Sequence, residues 1–572
     1  MPDIDANYIE EMRERIISED YMEILIPYYT SAKVFLEENA NLYPLILNNQ
    51  YAVIHTPVVT ENPMGLLATM SYTSFPKIYT LLDTTSLEAT GITRAHNQPI
   101  LNLTGNNVII GFIDTGIEYT HKAFRNVDGT SRIDVIWDQT IQTGKVPANY
   151  YYGTEYTREQ INEALASDAP LSIVPSTDTN GHGTFIAGVA AGSVDGANDF
   201  SGAAPGATIA MVKIKPAKQY LKDFFLIDGD APAYSGDDLV WAIKYLNNFA
   251  ASQNKPLVLC FGLGTNQGDH SGNSPIEQIL ANFVSSINNN AIIAAGNEAG
   301  SSHHYYGNIP GEDQYDDVEL IVGSPNRSFT LELWGDAPEL YTVAIRSPTG
   351  EEIQRIVPRL QESQVITFTL DPTVIYVDYK VVEERSGSEV IVMRFQSVTP
   401  GVWNFRVYCV NYINGIFNMW LPITGLVAPD IVFLRPNPDI TLTAPSTSEP
   451  IMTVSTYNAY DGSLFINSSR GYTRVGYIKP EIAAPGVNVY GPGLHNQYTR
   501  RTGSSVAAAI TAGAVALIVN WGLTSASSHL YSSREIKNLI IRGATRSATR
   551  LYPNREWGYG TLNVFRIFES LR

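Results

Sequence analysis

Short apolar runs alternate along much of this chain with longer segments that have the spacing of helices. Residues 108–113, 257–261 and 291–295 are apolar runs typical of strands buried in a parallel sheet. Residues 237–250 and 274–289 have the pattern of helices. The alternation predicts an α/β fold, with a parallel sheet sandwiched between helices.

A second pattern occupies residues 305–437. Short β-like segments follow one another at even spacing, and turn sequences such as Ser347-Pro348-Thr349-Gly350 separate them. These segments are residues 329–334, 341–346, 365–370, 374–382, 390–395, 403–410 and 417–421. They predict an antiparallel β-sandwich inserted as one small domain.

The N-terminal region forms a third unit, with the order strand, helix, strand, strand in residues 21–27, 31–38, 51–57 and 78–82. This order predicts a small α+β domain. A chain of 572 residues has room for three or four domains. The predicted division is 1–84, 85–304, 305–437 and 438–572, in which the second and fourth parts make one α/β domain.

Composition narrows the class of partner. The net charge of −19 argues against binding to nucleic acid or to an anionic membrane. The N-terminus lacks a basic stretch followed by an apolar run, and no apolar run is long enough to span a bilayer. We therefore expect no signal peptide and a cytoplasmic location.

The two cysteines, Cys260 and Cys409, are expected to be reduced and buried. The adjacent His303 and His304 are expected to be solvated in a polar loop, and no metal site is assigned.

Three segments place an aspartate, a histidine and a serine among small residues. Asp114 ends the run 108–113, His182 lies between two glycines before a small-residue helix, and Ser505 precedes a second such helix. A serine hydroxyl is a poor nucleophile near neutral pH and needs a base that a third group orients. Asp114 or Ser505 alone would be interpreted as a turn or capping residue. Together, in the order Asp, His, Ser, they favour a catalytic triad.

Two more segments extend the pattern: Asn297 follows the run 291–295, and Gly262-Leu263-Gly264 follows the run 257–261. With these segments, residues 88–300 and 440–570 resemble the subtilisin-like serine proteases (subtilases, peptidase family S8). The resemblance implies a serine endopeptidase that acts on proteins or peptides. It also implies that Asn297 and the Ser505 N–H bind the oxyanion, and that Gly262, Leu263 and Gly264 bind the substrate backbone. No cofactor is required, and calcium, which recurs in the family, is left unassigned.

One departure from the common family pattern is informative. Subtilases usually have Thr before the serine and Ser-Pro-His soon after it, whereas this chain has Ser504 and then Ala508-Ala509-Ile510. This variant and the long insert resemble the clostridial Csp germination proteases, whose insert is a jelly roll. That resemblance implies a specific protein or zymogen as substrate and a spore-associated location. It also implies a propeptide that the chain cuts between Tyr79 and Leu87, near residue 84, and retains non-covalently.

The sequence leaves several alternatives open. The N-terminal domain could stay uncut, and the insert could be a rigid brace or a substrate-binding exosite. The whole chain could be a catalytically silent regulator or sensor, or a general intracellular peptidase.

Overall fold

The computed structural model describes residues 6–39, 42–59, 65–81, 90–96, 103–356, 363–524 and 529–570. The predicted cleavage region near Thr84 and Thr85 lies outside these residues, as does the predicted domain boundary at residue 84.

The N-terminal region is an α+β unit whose last strand leaves the unit's own sheet. Its elements are α1 (Ala6–Ile17), β1 (Tyr21–Pro27), α2 (Ala32–Glu38), β2 (Leu45–Ile46), β3 (Tyr51–Pro57), α3 (Leu66–Thr69), β4 (Ile78–Leu81) and α4 (Ile92–His96). Strands β1, β3 and β2 form an antiparallel sheet in that order. Strand β4 instead pairs with two strands of the next region.

The first part of the α/β domain follows. Its strands are β5 (Ile109–Asp114), β6 (Ile133–Asp138), β7 (Thr154–Thr157), β8 (Thr208–Lys213), β9 (Tyr234–Ser235), β10 (Leu257–Phe261), β11 (Leu263–Gly264) and β12 (Asn289–Ala294). Its helices are α5 (Arg158–Leu165), α6 (His182–Ala191), α7 (Gln219–Phe224), α8 (Gly236–Ser252) and α9 (Pro275–Ser285). The helix predicted over 274–289 is shorter, because the backbone is already extended at Ser286 and then turns at Asn288, whose φ is positive, before β12.

The insert is an antiparallel sandwich, as predicted. Its strands are β13 (His304–Asn308), β14 (Tyr315–Val322), β15 (Arg327–Gly335), β16 (Leu340–Arg346), β17 (Glu352–Ile356), β18 (Ser363–Thr367), β19 (Val374–Lys380), β20 (Glu389–Val398), β21 (Gly401–Val410), β22 (Ile416–Trp420) and β23 (Ile431–Phe433). One sheet has the order β13-β22-β15-β20-β19-β18 and the other β17-β16-β21-β14-β23. Their facing side chains form one apolar core. The sequence pattern missed β13, β14, β17 and β23, which lie at sheet edges or carry many polar residues.

The chain then returns to the α/β domain with β24 (Met452–Tyr457), β25 (Ile482–Pro485), β26 (Val489–Pro492), β27 (Tyr498–Arg501), α10 (Ser504–Thr524), α11 (Ser533–Gly543) and α12 (Val564–Glu569). The central sheet has the order β25-β24-β12-β10-β5-β8-β6-β7, and its pairs are parallel except β6 with β7. Helices α6 and α10 pack on one face and α8 and α9 on the other, so both faces are covered.

Helix α10 is long and apolar enough to cross a membrane by length and composition, and no other helix in the described ranges is. In the fold, 89% of that apolar window is buried. Its apolar character is accounted for by its position in the core, against the central sheet and α6.

The prediction that the adjacent His303 and His304 are solvated is wrong. His303 and His304 are 4% and 1% exposed, so they are not solvated. His303 pairs with buried Glu298, and the His304 ring stacks on Trp420 with a centroid distance of 4.9 Å. Burial lowers the pKa of His304 to about 4. The error arose because β13 begins here and buries a sequence that is polar by composition.

Candidate active site

The carboxyl end of β5 and the N-termini of α6 and α10 bring the three predicted catalytic side chains together. Asp114 is the last residue of β5, His182 is the first residue of α6, and Ser505 is the second residue of α10. All three are buried, with exposed fractions of 2%, 1% and 0%. Parallel strands end at one edge of a sheet, and the contacts of His182 with Asp114 and Ser505 show that α6 and α10 both begin at the edge where β5 ends.

The three side chains form a continuous chain of hydrogen-bonding atoms. His182 Nδ1 lies 2.7 Å from Asp114 Oδ1 and 2.9 Å from Asp114 Oδ2. His182 Nε2 lies 3.0 Å from Ser505 Oγ. These are the contacts that a base needs to accept the serine proton while a carboxylate fixes its tautomer.

Close packing of small residues permits this geometry. A Cβ on Gly183 would lie 2.1 Å from the carbonyl oxygen of Gly116 and 3.1 Å from Asp114 Cβ. A larger residue at Gly183 would push α6 away from β5. The glycine beside His182 is therefore required for the Asp114–His182 contact.

Asn297 lies beside the serine, as the sequence predicts. Its Oδ1 accepts a hydrogen bond of 3.0 Å from Ser504 N, and Ser504 Oγ accepts one of 3.2 Å from Gly296 N. Ser504 thus fixes the amide plane of Asn297 and the preceding turn. In the sequence Ser504 stands out only as a replacement for Thr, and the sequence does not predict this orienting contact.

The predicted substrate-binding segment contacts the N-terminal domain. Gly262 separates β10 from β11. In β11, Leu263 pairs with Leu81 and Gly264 pairs with Thr80 of β4. On its other edge β4 pairs with β9, through Ile78 with Ser235 and Tyr79 with Tyr234. Strand β4 therefore fills the space between β9 and β11, which is the cleft beside the predicted substrate-binding residues.

One side chain of β4 is deeply buried in the cleft. Tyr79 is 1% exposed and belongs to an apolar cluster that includes Val240, Leu263 and Ile276. Gly236 leaves the necessary room, since a Cβ there would lie 3.3 Å from Tyr79 Cε2. The sequence does not predict this pocket, because the pocket is built from residues distant in the chain.

Two neighbouring groups are held neutral. Burial raises the pKa of the Cys260 thiol and of the Tyr234 phenol, and the Asp114 carboxylate contributes to both shifts. Cys260 and Cys409 are both free and buried, as predicted. Within the described ranges, no group of three or more His, Cys, Asp or Glu side chains is arranged to hold a metal ion.

The chain matches the model of a protein family and a solved structure over most of its length. The model of the subtilase family matches residues 105–359 and 434–560, and the stretch between them lies within the insert. The structure of the Clostridium perfringens CspB protease is similar, with a TM-score of 0.75 and 30% identity. That match covers 84% of this chain and 96% of the other.

Similar protein sequences match only part of their own length to this chain. C5a peptidase of Streptococcus pyogenes is 31% identical over 139 residues, which are 24% of this chain and 11% of that protein. Subtilisin-like protease SBT3.4 of Arabidopsis thaliana is 23% identical over 467 residues, which are 72% of this chain and 56% of that protein. The chain thus spans less than two thirds of the length of these relatives.

Proposed function

The chain belongs to the subtilase family, and we propose that it is a serine endopeptidase that processes itself and then cuts a specific protein. The observation that carries the proposal is the contact of His182 Nε2 with Ser505 Oγ at 3.0 Å, with Asp114 2.7 Å from the other ring nitrogen.

The mechanism follows from these contacts. Ser505 Oγ attacks a peptide carbonyl while His182 accepts its proton, and His182 then returns that proton to the leaving amine. Asp114 holds the ring in the required tautomer and stabilises the imidazolium. A positioned base of this kind contributes about 10²–10⁴ to the rate.

When the serine attacks, negative charge develops on the carbonyl oxygen, and hydrogen-bond donors are needed to stabilise it. Ser505 is in the first turn of α10, where backbone N–H groups have no partner within the helix. Its N–H and the Asn297 amide are the proposed donors. In subtilisin the equivalent amide contributes about 10²–10³ to turnover.

The position of β4 supports self-processing. An extended strand of the chain's own N-terminal domain pairs with Leu263 and Gly264, the residues proposed to bind the substrate backbone. We propose that β4 binds as a substrate does and that cleavage follows between residues 79 and 87. The pocket of Tyr79 then favours substrates with an aromatic side chain at the same position of the strand.

Buried contacts support retention of the N-terminal domain after cleavage. Lys218 Nζ lies 2.5 Å from Glu23 Oε1, and both residues are buried. The Tyr220 hydroxyl donates a hydrogen bond of 2.8 Å to Glu23 Oε2. Glu23 is on β1, whereas Lys218 and Tyr220 lie at the start of α7, so separation would break both contacts and also the hydrogen bonds from Lys218 to the Arg15 and Tyr21 carbonyls.

The test is the intact mass of the purified full chain, with Ser505→Ala alongside and Ser285→Ala, an exposed serine, as the matched control. We expect the wild type and Ser285→Ala to be cut between residues 79 and 87, and Ser505→Ala to stay uncut. Three uncut chains would contradict self-processing and favour the catalytically silent regulator.

A further inference from the structure

A second buried aspartate, Asp178, lies in the loop before α6. It is 4% exposed. Its Oδ1 accepts hydrogen bonds from Asn180 N at 3.0 Å and Gly181 N at 2.8 Å. Its Oδ2 accepts from Thr184 N at 2.9 Å and Thr184 Oγ1 at 2.8 Å. Asp178 therefore anchors the beginning of the helix that carries His182.

Asp178 also reaches the strand that carries Asp114. The hydroxyl of Thr115, the residue after Asp114, lies 2.9 Å from Asp178 Oδ1 and 3.3 Å from Asp114 Oδ1. The same hydroxyl oxygen accepts a hydrogen bond of 3.1 Å from Gly183 N. A threonine hydroxyl has one proton, so it donates fully to only one of the two carboxylates. The shorter distance assigns that proton to Asp178.

We propose that Asp178 is a positioning residue for the Asp114–His182 pair, because it holds the Thr115 hydroxyl proton away from Asp114. This inference rests on the proposed function. With the proton on Asp178, Asp114 Oδ1 accepts from Thr115 N at 2.8 Å and from His182 Nδ1. Without Asp178, the hydroxyl would donate its hydrogen bond to Asp114 instead. That hydrogen bond would stabilise the Asp114 carboxylate and so reduce the stabilisation that Asp114 gives to the protonated His182 ring.

Other titratable groups surround the pair and stay in place when Asp178 is replaced. Lys213 donates to the Thr177 carbonyl, and Arg501 donates to the Asn180 carbonyl. Tyr234 and Cys260 face Asp114 from β9 and β10, and burial keeps both neutral. The Asp178 carboxylate itself is the one charge that the substitutions remove, so the test must separate charge from hydrogen bonding.

Two substitutions make this separation. Asp178→Asn removes the charge but keeps an oxygen that can accept from Thr115, whereas Asp178→Ala removes both. The readout is the titration midpoint of the His182 ring in full-length protein with ¹³C-labelled histidine, which needs no turnover. We expect the midpoint of Asp178→Ala to lie about one pH unit below that of Asp178→Asn. In a Thr115→Val background the two midpoints should coincide. Equal midpoints with Thr115 present would overturn the proposal.

Thr115→Val alone tests the same idea if Asp178→Ala does not fold. Since the hydroxyl proton is assigned to Asp178, its removal should leave the His182 midpoint within about 0.3 pH unit of wild type. A rise of about half a unit or more would show that the hydroxyl donates to Asp114, which contradicts the proposal. An inactive wild type with the predicted midpoints would instead refute the peptidase function and leave this hydrogen-bond arrangement intact.

Discussion

The phenol of Tyr72 in the N-terminal domain donates to the buried carboxylate of Glu332 in the inserted sandwich, at 2.7 Å from each carboxylate oxygen. Trp334 Nε1 and Gly268 N donate to the same carboxylate. Burial raises the pKa of Glu332, and Lys77 opposes that rise. The insert therefore contacts the N-terminal domain only a few residues before β4 enters the cleft.

Tyr72→Phe should loosen β4. Removal of the hydroxyl leaves Glu332 with fewer donors and costs about 1–3 kcal/mol. We expect amide hydrogen exchange in residues 78–81 to become about tenfold faster or more. Tyr29→Phe is the matched control, because Tyr29 is 90% exposed. Exchange unchanged by Tyr72→Phe would show that the insert does not hold this strand.

Asp114→Asn should abolish most activity without unfolding the chain. The amide can still fill the space of the carboxylate, but it favours the wrong tautomer of His182 and cannot stabilise the imidazolium. The expected loss in kcat is about 10⁴. Peptide hydrolysis measures the loss, and an unchanged thermal unfolding midpoint shows that the fold is intact. Near-normal turnover would refute the role of Asp114.

Gly262→Ala should reduce activity through sterics. A Cβ at Gly262 would lie 3.0 Å from Ser505 Cβ and 3.4 Å from His182 Cε1. Displacement of these side chains by a fraction of an ångström is expected to lower kcat/KM about 10²-fold. Gly196→Ala is the control, since a Cβ there meets no atom within 4 Å. If both variants keep wild-type activity, the packing argument for Gly262 is wrong.

The sequence predicted Asp114, His182, Ser505 and Asn297 because their segments occur together and in one order, although Asp114 or Ser505 alone would be interpreted as a turn or capping residue. It could not predict Asp178, which has the ordinary appearance of a residue that caps a helix. Nor could it predict the pairing of Tyr72 with Glu332, which are 260 positions apart. Such contacts depend on how separately folded units pack, and periodicity contains no information about that packing.

The same limit explains the errors in the prediction of the fold. The alternation of apolar segments predicted the parallel sheet and most of the sandwich strands. Strand β14 was missed because its first residues, Tyr315-Asp316-Asp317, are exposed or half-buried. His303 and His304 were misjudged because their partners, Glu298 and Trp420, come from other segments.

The stability of the folded chain should fall in mild acid. His55 on β3 is 2% exposed, and burial lowers its pKa from the ordinary 6.5 to about 4. Glu23, Lys218 and Lys215 act on it electrostatically. The unfolded state therefore binds more protons between pH 6.5 and 4, so stability falls as the pH falls through this window, by about 3 kcal/mol in total.

Thermal unfolding of wild type and His55→Gln between pH 7 and 4.5 tests this expectation. The wild-type midpoint should fall more steeply than that of the variant. Glu23 does not contribute to the loss of stability in most of this window. Burial acts to raise the pKa of Glu23, but Lys218 lowers it, and the result is a pKa below the ordinary value of 4.5. Parallel curves for the two proteins would show that His55 is not the sensitive group.

The most direct test of the account is the reaction of a fluorophosphonate with the full chain, mapped by mass spectrometry. One covalent adduct is expected on Ser505 in the wild type, and none there in His182→Ala, in which the base is absent. Wild-type protein that forms no adduct on Ser505, or an adduct that forms equally well in His182→Ala, would contradict the assignment of Ser505 as an activated nucleophile.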